Sequence, residues 1–308
     1  MTAAAAQRAA FLQGSLLVLA AGLFWSFTGV LVRSAPLSDG WQYLGWRSIG
    51  AALFFWVYSR VSGRGAPIRN FVKLGWLGWL ATVAILMASL SYLFALKTTT
   101  VAATLFLSSC SPLLTGLMAW AVLREKLDTL SLCAIAVGLA GVGLMMLGKS
   151  DGSMTLFGNA LALNSALMFG VFNVCLRRAP ERDFGPTMFV YALIAVAISF
   201  AATLLNGKPL APPPAEIAIA LFNGFVFIGV GSALFIAGAA HVPAAGLAVL
   251  SQTEAVFGPL WVALLIGEIP APLAIFGGAL ILGAVVAMAL HGASKTPPQT
   301  RAGPGSVG

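Results

Sequence analysis

Residues 14–36 read GSLLVLAAGLFWSFTGVLVRSAP, and residues 158–180 read GNALALNSALMFGVFNVCLRRAP. Each is a mostly apolar run that closes on an arginine and then Ala-Pro. A run of roughly 20 apolar residues crosses the ~30 Å hydrocarbon layer of a bilayer as a helix. Lipid offers the backbone no hydrogen-bond partner, so only helices or closed barrels satisfy it there, and these runs are too long for barrel strands and lack their alternation. Gly14, Leu17, Leu19, Leu23, Val30, Arg33, Ala35 and Pro36 meet identical residues 144 positions later, without a gap.

The rest of the chain extends the same pattern. Its 308 residues are 59% hydrophobic and 8% charged, with a mean hydropathy of +0.95. Soluble domains carry about a quarter charged residues, so this surface has to face lipid over much of its area. Ten runs meet the length requirement: 14–32, 41–59, 74–95, 101–123, 129–147, 156–176, 187–205, 216–238, 244–266 and 271–290. The fold class is therefore all-α integral membrane, with ten transmembrane helices.

The net charge of +8 does not indicate nucleic acid, because the basic residues lie in short connectors where topology signals lie. With the N-terminus inside, the inner side holds Arg8, Arg60, Arg64, Arg69, Lys73, Arg124, Lys126, Arg177, Arg178, Arg182, Lys295 and Arg301. The outer side keeps Arg33, Lys97, Lys149 and Lys208. This imbalance predicts two cytoplasmic termini in an inner, plasma-type membrane. The first run ends without a convincing cleavage site and is expected to be retained. Cys110, Cys133 and Cys175 fall inside apolar runs with no paired or metal-ligand spacing.

The fourth and fifth runs align with the ninth and tenth at an offset of 143, where Leu107-Ser108 meets Leu250-Ser251 and Glu125 meets Glu268. The organisation expected is an N-terminal cytoplasmic segment 1–13, a first repeat 14–147, a second repeat 156–290 and a disordered, Gly/Pro/Ser/Thr-rich tail 291–308. Five spans is an odd number, so the second repeat has to sit upside down relative to the first. Inverted repeats are a common transporter architecture, with the solute site near the midplane where the halves meet.

Three stretches carry a family resemblance. Tyr92-Leu93-Phe94-Ala95-Leu96 leads into Ser108-Ser109-Cys110-Ser111-Pro112 and then Leu123-Arg124-Glu125-Lys126-Leu127. The second copy answers with Val242-Pro243-Ala244-Ala245, Leu250-Ser251-Gln252-Thr253-Glu254 and Gly267-Glu268, and Trp25 also fits. From about 14 to 290 the chain resembles the EamA repeats of the drug/metabolite transporter superfamily. One departure is that Ala255 follows Glu254 where the family usually has proline; Pro259 comes later, and any kink is expected to move with it. The resemblance implies a ten-helix secondary carrier, most often an exporter of amino acids or related metabolites, with an aromatic amino acid exporter as one type of this size. A multidrug or organic cation exporter is the alternative.

Charged groups inside a span cost about 2.5–3.5 kcal/mol even on the permissive insertion scale. Glu254, near the centre of the ninth run beside Gln252, is the leading candidate to contact a cationic group of the solute or exchange a proton. Ser111 occupies the equivalent position in the first half, with Ser108 one turn before it, and Pro112 can kink that helix and free a carbonyl. Asn164 and Asn173 carry amides that need partners in lipid. Trp25, Tyr92 and Phe169 offer an apolar wall for a side chain. Arg47 lies about two turns below the outer end of the second run, and its stem is expected to snorkel to the interface. Ala279, Gly283 and Ala287, four apart, are expected to form a small-residue ridge for helix contact. Trp41, Trp46, Trp76 and Trp79 fit interfacial belts.

A membrane-embedded enzyme would need a nucleophile–base pair or a metal cluster, and neither H-E-x-x-H nor G-x-S-x-G occurs. A channel would want a continuous polar lining, whereas here the polar residues gather near the centre. No Gly-rich phosphate loop points to ATP. The expectation is therefore a small-molecule solute and a lipid surround, with no cofactor, metal or nucleic acid, in a monomer or weak homodimer.

Overall fold

The computed structural model describes residues 3–123, 129–147, 155–179, 182–239, 241–242 and 250–295, and among these there is no strand. The helices are α1 (Ala3–Ser26), α2 (Thr28–Arg33), α3 (Gly40–Val61), α4 (Pro67–Val72), α5 (Gly75–Thr98), α6 (Val101–Ser108) and α7 (Ser111–Leu123). They continue as α8 (Thr129–Leu147), α9 (Leu156–Arg178), α10 (Gly185–Leu205), α11 (Pro214–Phe222), a π-helical segment Asn223–Val230, α12 (Gly231–Ala239), α13 (Thr253–Ile266) and α14 (Pro272–Lys295).

Among the described residues six segments are long and apolar enough to cross a bilayer: Phe11–Arg33, Gly75–Thr98, Val101–Met118, Leu156–Leu176, Gly185–Leu205 and Pro214–Gly238. Thr253–Ile266 is a shorter apolar helix, and Leu132–Leu144 and Pro272–Ala287 are apolar stretches of α8 and α14. At 22 residues α3 is as long as these but less apolar, since it buries Gln42 and Arg47.

Local chemistry explains where helices begin and break. Asp39 and Gln42 form a capping box at the start of α3: Gln42 N donates to Asp39 Oδ1 (2.8 Å) and Asp39 N donates to Gln42 Oε1 (3.0 Å). Thr100 and Thr155 cap α6 and α9 through their hydroxyls. Pro112 has no N–H to offer the carbonyl of Ser108, and α6 ends at Ser108, as the expected kink requires. In the other half the break stays at Ser251–Gln252, before α13, and α13 runs unbroken through Pro259.

Helix pairs exchange across the chain. α5 packs along α9 and α1 along α12; α6 and α7 lie against α9 while α1 and α2 lie against α13. α3 packs on α10, and α8 on α14. Where α3 crosses the π segment the two backbones touch. A Cβ on Gly224 would strike the carbonyl of Arg47, and one on Gly50 would strike that of Leu221.

Two expectations change, and two boundaries shift. Ala279, Gly283 and Ala287 are exposed, and a Cβ on Gly283 would meet nothing; α14 instead buries Ala274, Gly277, Gly278, Ile281, Ala284 and Val285. Small residues recur on several faces of this helix, so spacing alone did not identify the packed one. Arg47 does not snorkel: it is 2% exposed. α14 continues to Lys295, five residues into the segment expected to be a tail, and residues 296–308 lie outside the described residues. Likewise α1 begins at Ala3, within the segment expected to precede the first span.

Gly224→Val is expected to cost at least about 1–3 kcal/mol by forcing α3 off the π segment. The thermal midpoint of the purified protein should fall accordingly, while Gly283→Ala leaves it unchanged.

Candidate functional site

α5 supplies the spine of the interior polar layer. Ser89 and Tyr92, three residues apart, share one face of it. The Tyr92 hydroxyl donates to Glu254 Oε1 at the start of α13 (2.5 Å). Arg47 Nη2 of α3 donates to Ser89 Oγ (2.5 Å). Beside them Asn164 Nδ2 of α9 donates to Ser91 Oγ (2.7 Å). A further buried chain runs from the Thr28 hydroxyl to Asn223 Oδ1 (3.4 Å) and from Asn223 Nδ2 to the Tyr43 hydroxyl (2.8 Å).

An aromatic group adjoins this layer. Trp25 meets Phe169 edge-on (centroids 6.5 Å apart, 90°) and tilts against Phe235 (5.3 Å). Trp25, Ser89, Tyr92, Asn164, Phe169 and Glu254 are half-buried.

The structure thus brings Glu254 together with Tyr92, and Trp25 with Phe169, and sets Asn164 next to Tyr92 through Ser91. Other expected members stand apart. Asn173 is nine residues along α9 from Asn164, on the opposite face and about 13.5 Å further along the axis. Ser108 makes only a long contact, 3.5 Å, to the carbonyl of Ala162. Ser111 is buried, and its hydroxyl has no hydrogen-bond partner among the described residues. Gln252 is buried beside the turn that opens α13. Ser89, Ser91, Thr28, Tyr43 and Asn223 were not singled out from sequence. Asn223 carried the clearest signal, as a lone amide in an apolar run.

One end of the bundle is tied across its two halves. Arg33 Nη2 donates to the carbonyl of Thr99 (2.6 Å), and its Nε lies 3.0 Å from Glu268 Oε2 without pointing its hydrogen there. Glu268 Oε1 also accepts from Val101 N at the start of α6 (2.8 Å), where a helix end favours negative charge. Glu216 accepts from Leu37 N (3.0 Å), Ser38 N (2.6 Å) and the Ser38 hydroxyl (2.5 Å). Gln42 donates to the carbonyl of Pro209 and Trp46 to that of Leu210, while Lys208 pairs with Asp39 at 2.9 Å. Burial pushes the Asp39 carboxyl up, but the Gln42 N–H and Lys208 outweigh it and hold it below the usual carboxylate range. At the opposite end the described residues show an exposed Arg64–Asp183 pair (3.3 Å) and a contact from Arg182 to the carbonyl of Leu74 (3.3 Å).

Known proteins point the same way. The model of the EamA-like transporter family matches residues 12–147 and, a second time, residues 156–290. A Bacillus subtilis (strain 168) protein named "Uncharacterized transporter YwfM" is 26% identical over 299 residues, covering 92% of this chain and 96% of its own. A solved structure described as "Crystal structure of protein" superposes with a TM-score of 0.67 at 20% identity, covering 90% of this chain and 98% of that one, which establishes likeness of fold.

Alanine at Arg33 and at Glu268, separately and together, should reveal a coupling of about 0.5–1 kcal/mol in thermal stability, the scale of a partly exposed pair. The Asp39 contribution should be present above the normal carboxylate range and lost only as pH falls below it, because the folded group binds its proton more weakly. The stability difference between wild type and Asp39→Ala, followed from pH 7 down to pH 3, checks this.

Proposed function

The chain belongs to the EamA-like transporter family and is an integral membrane transporter; from that premise we propose that it exports amino acids or related amphipathic metabolites by alternating access. Ten spans in two inverted halves, 14–147 and 156–290, enclose the solute at the midplane. The exchanged helix pairings support this reading, since α5 on α9 and α1 on α12 are the same contact with the halves swapped. So do the interruptions at Ser109–Cys110 and Ser251–Gln252, which fall within one residue of matching places in the two copies.

The observation that carries the proposal is the Tyr92–Glu254 hydrogen bond. It joins the halves through a half-buried carboxyl group deep in a membrane protein, where ionisable residues mark solute or proton paths. Glu254 receives the solute's ammonium group, or a proton in its place, and Tyr92 is the hydroxyl it releases on doing so. Trp25 and Phe169 pack against the solute's side chain, which suits an aromatic or aliphatic one. Ser111, Ser108, Gln252, Asn164 and Asn173 line the path around it, and Pro112 and Pro259 are the points of helix adjustment. The charge imbalance of the connectors puts both termini in the cytoplasm of an inner membrane. The tied end, with Arg33 and Glu268, is then the outer face, and its contacts have to part for release.

Counterflow in proteoliposomes tests the role of Glu254. Glu254→Gln should fold with an unchanged thermal midpoint yet lose at least about tenfold in transport, the scale of one lost charge-assisted contact. Its residual activity should no longer vary with pH. Full activity of this variant at every pH would remove Glu254 from the mechanism.

A further inference from the structure

Arg47 is the eighth residue of α3, about 10.5 Å from its outer end at helical rise, and only 2% exposed. Its guanidinium has five N–H donors and a charge that persists at any physiological pH. Ser89 Oγ takes one donor. A hydroxyl is no counter-ion, and an uncompensated buried charge costs several kcal/mol.

The acids of the described residues are all engaged elsewhere. Glu268 sits with Arg33, Asp183 with Arg64, and Asp39 with Lys208. Glu216 is held by Leu37 and Ser38, and Glu254 by Tyr92. No described carboxylate lies within ion-pair distance of Arg47. Nor is Arg47 remote from the solute layer: its partner Ser89 is one turn along α5 from Tyr92, the partner of Glu254. A buried cation and a half-buried acid therefore hang from neighbouring positions of the same helix face, each held by a hydroxyl and not by the other.

We infer that Arg47, oriented by Ser89, is a carboxylate-binding subsite, and that the solute itself brings the missing counter-ion. A planar guanidinium matches a carboxylate with two parallel hydrogen bonds, so recognition there is geometric as well as electrostatic. The inference rests on the reading that solute binds in this layer, and it narrows the solute class. A compound that bears both a carboxylate and an ammonium group satisfies both ends. A purely cationic compound would face Arg47 with like charge.

The test uses the purified full-length chain and competition with the L-amino acids, each paired with its carboxamide, together with 3-phenylpropionate. In wild type, at least one acid should outcompete its amide by about tenfold or more, as expected for a desolvated charge pair. In Arg47→Gln that preference should fall to about twofold or less, while the preference for phenylalanine over 3-phenylpropionate, which reports on Glu254, is retained. Glu254→Gln should show the reverse pattern. Arg47→Lys and Ser89→Ala should give intermediate discrimination, and they stand in if the Gln variant does not fold. A wild-type protein that binds no acid better than its amide overturns the inference, as does a folded Arg47→Gln variant that keeps the preference. Loss of the ammonium preference in wild type would instead overturn the role of Glu254 and leave Arg47 standing.

Discussion

A carboxyl group placed deep among membrane helices has few ways to be satisfied, and Glu254 uses one of them, the hydroxyl of Tyr92 in the other half of the chain. Everything around the interior layer follows from that requirement. Tyr92 of α5 reaches Glu254 in the first turn of α13. The turn at Ser251–Gln252 puts Glu254 in the first turn of a helix and not in its middle. A single hydroxyl is a weak hold on such a group. The contact is therefore suited to exchange: a solute ammonium competes well with a neutral donor, whereas it would compete poorly with a buried lysine.

At the end bearing Arg33 and Glu268, capping, ionic and backbone contacts cross between the halves, and Glu268 serves both the arginine and the first turn of α6. Each contact is small, because partly exposed pairs contribute about 0–1 kcal/mol. Together they tie the two halves at that end. The π segment contributes differently. Gly50 and Gly224 let α3 and the π segment approach backbone to backbone, which fixes Arg47 close to α5.

Much of the fold was legible in the sequence because lipid makes length and apolarity nearly sufficient to locate helices. Pro112 announced the end of α6, and the repeat marked both Arg33 and Glu268 before the structure showed them in contact. Other features were not legible. In a membrane helix nearly every face is apolar, so the spacing of Ala279, Gly283 and Ala287 could not tell a packed face from a lipid-facing one. Sequence position gave the depth of Arg47 but not its direction, and snorkelling was the cheaper assumption until Ser89 proved to be its partner. The interruption at Phe27 between α1 and α2 has no proline to signal it. The partners of Glu254 and Asn164 depend on which helices cross, which is tertiary information.

Solute that occupies the space beside Glu254 has to protect that one carboxyl from chemical modification. Dicyclohexylcarbodiimide partitions into the membrane and reacts with protonated carboxyls, and peptide mass analysis locates the adduct. The account predicts that Glu254 is labelled in the empty protein and protected by the same amino acids that raise its thermal midpoint. Labelling of Glu254 that stays equally fast under every such amino acid would contradict it.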